Sequence, residues 1–245
     1  MSSPTPSYLV LGGGGAIGRA VAHRLARTGA HILVAGRTAA PVEEVAEEVG
    51  GTPLVLDARD FGQVADAVKR AGELGTFRGA ANCVGSIELR PASATSRETF
   101  DEVLATNLTT AFALVRSAGS VLARGGGGSI VLMSSAAARV GLPNHEAIAA
   151  AKAGVEGLMR SAAAGLARRN VRVNAVAPGL VDTPLASRIT SNERSLETSV
   201  GMHPLGRIGS ADEVAEIVAW LLGESSGWVT GSVVAADGGM AALRS

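Results

Sequence analysis

Tyr8 to Gly18 reads YLVLGGGGAIG, an apolar run that goes straight into glycines and then into Ala16-Ile17-Gly18. Helical spacing follows, with Ile17, Val21 and Leu25 on one face and Gly29 as the residue that stops it. The pattern is strand, tight glycine turn, helix. A helix starting on such a turn presents free backbone N–H groups, and glycines let a pyrophosphate approach closely. A flexible surface loop would have the same composition. The position between a strand and a helix favours the phosphate turn.

The next apolar run, His31 to Ala35, ends in Gly36-Arg37-Thr38. At that strand end of a dinucleotide site an acidic side chain would accept from the ribose 2′-hydroxyl. An arginine without an acid suits a 2′-phosphate. Gly36-Arg37 therefore favours NADP(H), with NAD(H) as the alternative. The plain reading of Arg37 is an exposed loop residue.

The same alternation continues. Pro41 to Val49 reads as a helix, Pro53 to Leu56 as a strand ending at Asp57, Phe61 to Leu74 as a helix, and Gly79 to Val84 as a strand running into Gly85. Glu98 to Arg124 reads as one long amphipathic helix with Asn107 in its middle, either a buried kink or a polar group placed for function. Ser129 to Lys152, SIVLMSSAAARVGLPNHEAIAAAK, is a buried strand closed by Ser134-Ser135, a small-residue loop and a helix start. Asn144 is placed to cap that helix, with Glu146 in its first turn, and Asn170 to end it near Arg169. Val171 to Ala177 is a strand before Pro178-Gly179. Pro184 to His203 is polar and irregular, the composition of a mobile cover. Ser210 caps a helix reaching Leu222, and Val233 to Ala236 is the last strand, before Asp237-Gly238-Gly239. Seven strands alternating with six helices predict a single α/β domain over residues 1–245, a doubly wound parallel sheet of the Rossmann type. Its ligand crevice should lie at the carboxyl ends of the strands, where Gly12, Gly36, Asp57, Gly85, Ser135 and Pro178 fall.

Composition limits the function. The 22 basic and 22 acidic residues cancel, so nothing points to a nucleic-acid or anionic-membrane partner. Charges or turn residues interrupt every long apolar run, so no membrane span is expected. Cys83 is the only cysteine and no secretory pattern opens the chain; both suit a cytoplasmic protein. Cys83 reads as a small buried filler rather than a nucleophile. The other histidines, His23, His31 and His203, show no metal spacing.

Together and in this order, these residues resemble the short-chain dehydrogenase/reductase family over essentially the whole chain. The phosphate loop matches the family's T-G-x3-G-x-G at Gly12 and Gly18, departing at Leu11 and Ala16. The resemblance assigns cofactor contacts there to Gly12, Gly15, Ile17 and Gly18. Asp57 matches the acid that meets the adenine, and Asn82 to Gly85 matches N-N-A-G with its middle residues changed. Asn107 matches the helix asparagine that holds a relay water, Ser135 the catalytic serine, and Lys152 the lysine of Y-x3-K. Asn174, Pro178, Gly179, Val181 and Thr183 match N-x3-P-G-x-V-x-T, whose threonine holds the nicotinamide amide. The family commonly forms dimers and tetramers through the long helices, so a homo-oligomer is implied.

The tyrosine place of that motif holds Ile148, four residues before Lys152 and thirteen after Ser135. In the family that phenol is the general acid; an isoleucine can neither give nor take a proton. The only tyrosine, Tyr8, begins the first strand. His145, three residues before Ile148, shares its helical face and is a candidate replacement, a solvent-facing residue at a helix start being the other reading. The expected activity is an NADP(H)-dependent oxidoreductase acting on a small carbonyl or alcohol with an altered proton donor. The alternatives are a non-redox enzyme on the same scaffold (isomerase, cyclase or dehydratase) and a non-catalytic NADP-binding subunit.

Overall fold

The computed structural model describes residues 5–243. Strand β1 (Pro6–Leu11) buries both faces: Tyr8 and Val10 point one way, Leu9 and Leu11 the other. A strand with no polar face can only lie inside a sheet covered on both sides. It pairs in parallel with β2 (His31–Gly36) and β4 (Thr76–Asn82). With β3 (Thr52–Val55), β5 (Gly128–Met133), β6 (Val171–Pro178) and β9 (Val233–Ala236), the sheet runs β3-β2-β1-β4-β5-β6-β9, parallel throughout. The strand order reverses between β1 and β4, which opens a crevice at their carboxyl ends.

Helices cover the two faces. Helices α1 (Ala16–Ala26), α2 (Ala39–Val49) and α9 (Ala211–Leu222) bury Val21, Val42 and Val218 on one side. On the other side lie α3 (Phe61–Glu73), α5 (Thr110–Arg124) and α6 (Glu146–Leu166), which bury Val64, Leu114 and Met159. Local caps agree with the pattern. Asp60 accepts from Gly62 N and Gln63 N at the start of α3, and Ser210 with Glu213 forms a reciprocal capping box on α9.

The structure corrects the sequence reading at three places. The long helix is α4 (Arg97–Leu104) joined to α5 by a π turn over Ala105–Thr109, so Asn107 sits where one extra residue is accommodated. Asn144 does not cap α6; it takes a left-handed turn (φ 63°), and His145 is the N-cap with no side-chain cap bond. The segment after Thr183 is not irregular. It folds into α7 (Ser187–Thr190) and α8 (Glu193–Gly201), the latter capped by Asn192, between two short strands that pair with each other, β7 (Val181–Asp182) and β8 (Gly209–Ser210).

Candidate active site

Two adjoining clefts open along the carboxyl edge of the sheet. The first, about 380 Å³, is lined by Gly12, Gly15, Ile17, Gly18, Arg37, Asp57, Gly85 and Thr183. Its floor is the glycine turn. A Cβ on Gly12 (φ 75°) would lie 2.8 Å from the Cys83 carbonyl carbon, and one on Gly18 would collide with Gly12 O. The turn is therefore pressed against the end of β4 and against itself. Gly15, the N-cap of α1, gives no side-chain cap, so the first N–H groups of that helix are left for a ligand. Arg37 makes no ion pair among the described residues. A phosphate-sized cradle, an uncapped helix start and an unpaired guanidinium at the second strand end fit a dinucleotide.

Asp57 is tied to Arg59, which also lines this cleft and reaches Glu102. The Arg59 hydrogen bonds hold the Asp57 carboxyl below the usual carboxylate range. Asn82 lies beneath the cleft, donating to Thr110 Oγ1 and accepting from Val84 N, and so fixes the β4 end. Val181 turns its side chain into the core.

The second cleft, about 780 Å³, brings together Ser135, His145, Ile148, Pro178 and Gly179; Leu185 forms part of both walls. Ser135 follows β5 in extended conformation, and its Oγ accepts from Ala137 N at 3.2 Å, which leaves the hydroxyl proton free. The ring Nδ1 of His145 lies 2.8 Å from Pro143 O, so Nδ1 donates to that carbonyl and Nε2 has no hydrogen-bond partner among the described residues. Ile148 packs against Val103, Ala147 and Ala151 with only its edge on the cavity. Lys152 lies below the floor and donates from Nζ to Met133 O at 2.9 Å. Burial pushes this lysine down to about 8.

Asn107 does not reach either cavity. Its amide bonds Ser86 N, Ser86 Oγ and Val103 O, clamping the chain that leaves β4 through Gly85. A Cβ on Gly85 would sit 3.2 Å from Asn107 Oδ1 and 3.7 Å from Lys152 Nζ, so the three meet at one point.

Several contributors carried no motif. Below Ser135, Ser134 Oγ donates to the buried carboxylate of Glu156, and that pair anchors the strand end. His203, also buried, accepts from Leu180 N with Nε2 and bonds Ser199 O through Nδ1, which ties the Gly179-Leu180 backbone to α8. Glu156 could have been found from its place one helical turn after Lys152; His203 gave no such signal.

Comparison with known proteins agrees with the fold. The family model described as Enoyl-(Acyl carrier protein) reductase matches residues 14–241. A solved short-chain type dehydrogenase/reductase from Mycobacterium ulcerans superposes with a TM-score of 0.93 at 31% identity, covering 100% of this chain and 92% of that one. The chain belongs to the short-chain dehydrogenase/reductase family. A relative in this family, the 2,5-dichloro-2,5-cyclohexadiene-1,4-diol dehydrogenase of Sphingobium indicum, is 36% identical over 97% of each chain. A Beutenbergia cavernae chain solved with NADP at low occupancy is 34% identical, with a TM-score of 0.91 over 99% of this chain and 98% of that one. No helix among the described residues is long and apolar enough to cross a membrane.

Proposed function

We propose that the protein is an NADP(H)-dependent oxidoreductase of this family, interconverting a small carbonyl compound and its alcohol with an altered proton donor. One observation carries the reading: Ser135, His145 and Ile148 converge on a cavity that shares a wall with the dinucleotide-shaped cleft, with buried Lys152 under its floor.

When bound, the nicotinamide supplies or accepts the hydride. The chain's own residues do the rest. Ser135 would hydrogen-bond the carbonyl oxygen through its free hydroxyl and orient it. Ile148 stands in the tyrosine place and contributes only shape. His145, which lines that cavity, is the candidate for the replacement proton donor. Lys152 uses one donor on Met133 O and keeps two for the nicotinamide ribose, the role its motif implies. Asn107 acts here as a clamp on Ser86. Arg37 selects NADP(H) over NAD(H) because a guanidinium binds a 2′-phosphate bidentately.

The isoleucine itself favours a second reading, a non-redox isomerase, cyclase or dehydratase in which Ser135 polarises an oxygen and the cofactor is structural. A cytoplasmic homodimer or homotetramer accompanies either reading; half-exposed Phe112 on α5 is apolar surface that a second subunit would cover.

Cofactor titration tests the proposal. NADPH should bind on the order of tenfold tighter than NADH, and Arg37→Asp should reverse that order. Equal affinities in the unmodified protein would end the NADP(H) assignment.

A further inference from the structure

The larger cavity is asymmetric in charge. Its lining holds three arginines, Arg90, Arg188 and Arg194, against one carboxylate, Glu88. Glu88 is already committed to Arg90, with Arg90 Nε 2.5 Å from Oε1. Arg188 on α7 and Arg194 on α8 make no side-chain hydrogen bond and no ion pair among the described residues. This holds although Glu193 and Glu197 share α8 with Arg194. Two positive charges thus remain over the mouth of the cavity. The same cavity also carries apolar side chains, Ile87, Leu142, Ile148 and Met240 among them.

Other exposed arginines, Arg27, Arg70, Arg168 and Arg169, also make no ion pair among the described residues, but they line neither cavity. Arg188 and Arg194 instead edge the same cavity as Ser135, on helices that stand over it. Asn144, His145, Ser195, Thr198 and Ser199 also line the cavity and would serve a neutral polyol, but none of them answers the charge of the two arginines. A ligand with a hydrocarbon body and an oxyanion at one end would satisfy both the apolar side chains and the charge, because guanidinium groups bind carboxylate and phosphate through paired N–H donors.

We propose that the substrate is an amphipathic anion, with an apolar carbon frame bearing the reacting oxygen and a carboxylate or phosphate held by Arg188 and Arg194. This rests on the reading of the cavity as a substrate site, and it names the class of molecule that site takes. The paired guanidinium groups set the position of the anionic end. The reacting carbon is then placed by the length of the frame between that end and Ser135.

The test is direct binding, which does not depend on turnover. 4-Oxocyclohexanecarboxylate, its neutral carboxamide and cyclohexyl phosphate are titrated calorimetrically with and without saturating NADPH. The acid or the phosphate should bind on the order of tenfold or more tightly than the amide, and the preference should weaken as KCl is raised. The doubly substituted R188Q/R194Q protein should bind acid, phosphate and amide alike. Both positions are exposed, so the variant keeps its fold, which a thermal melt checks. A stronger phosphate response assigns a phosphate ester, and a stronger carboxylate response a carboxylic acid. Equal binding of acid and amide, or an anion preference that survives in the double variant, overturns the inference. Failure of NADPH to bind while the arginine-dependent preference persists would instead remove the redox reading and leave this one standing.

Discussion

At the scale of the residue, the proposed chemistry turns on Ile148. It lies against Val103 and Ala151 at the junction of α4 and α6, on the cavity that also holds Ser135. If the isoleucine is all that separates this site from a carbonyl reductase, Ile148→Tyr should add a phenol beside buried Lys152, whose charge would lower the phenol's pKa. The variant should gain NADPH-dependent reduction of reactive diketones on the order of 10²-fold, the low end of a general-acid effect. Some stability should be lost to the larger ring. A folded variant that binds NADPH and reduces nothing would support the non-redox reading. His145→Ala should lower turnover of the native substrate at least about tenfold, and an unchanged rate would return His145 to the reading of a solvent-facing residue at a helix start. The placement of Ile148 on one cavity with Ser135 could be read from the sequence because motif spacing fixes a position whatever residue fills it. The pairing of Ser134 with Glu156 could not, because two separate segments make it.

The glycine turn and the π turn decide the site at the scale of the element. Gly18 and Gly15 both line the first cleft, but their surroundings differ. A side chain at Gly18 meets Gly12 O, so Gly18→Ala should disrupt the turn and lower the melting temperature. One at Gly15 meets only Gly12 O at 3.4 Å, so Gly15→Ala should keep the fold and weaken NADPH binding. Equal melting losses in both would show that Gly15 is structural as well. In the π turn, Asn107→Ala would leave Ser86 N without its acceptor, at a cost of about 1–3 kcal/mol. Faster amide exchange at Ser86 should mark the loss, and unchanged exchange would refute the clamp. The sequence carries the helix on either side of Asn107 through its apolar face, whereas one inserted residue leaves that periodicity almost unaltered. The α7–α8 segment escaped for the opposite reason. Its helices are short and bury little, so their pattern resembles a loop, although the Asn192 cap was present to be read.

For the whole molecule, the three-layer order followed from the sequence. Fully apolar strands alternating with amphipathic helices have few other ways to bury their faces. The relative placement of the two clefts did not follow, since it depends on how α7 and α8 sit over the strand ends. Lys152 gives the fold a pH dependence. Folded, burial pushes it down to about 8; unfolded, it titrates at its ordinary value near 10.5. Below pH 8 both states are charged and the burial cost is fully present. Between about 8 and 10 the unfolded chain holds more protons, so rising pH favours the folded state. Urea melts at pH 7 and pH 10 should show wild type gaining on Lys152→Met, and a constant difference would mean that water keeps the ammonium solvated.

Cys83 closes β4 under the glycine turn, its N–H bonded to Leu11 O at 2.8 Å. Part of the residue reaches the cleft, yet burial pushes the thiol up to about 12, so almost no thiolate forms at neutral pH. The lone thiol should therefore react slowly with alkylating dyes while β1 and β4 stay paired, and faster once they part. A dye added in excess would act as a stopwatch for breathing at this edge, and a nucleotide that braces the edge should slow it.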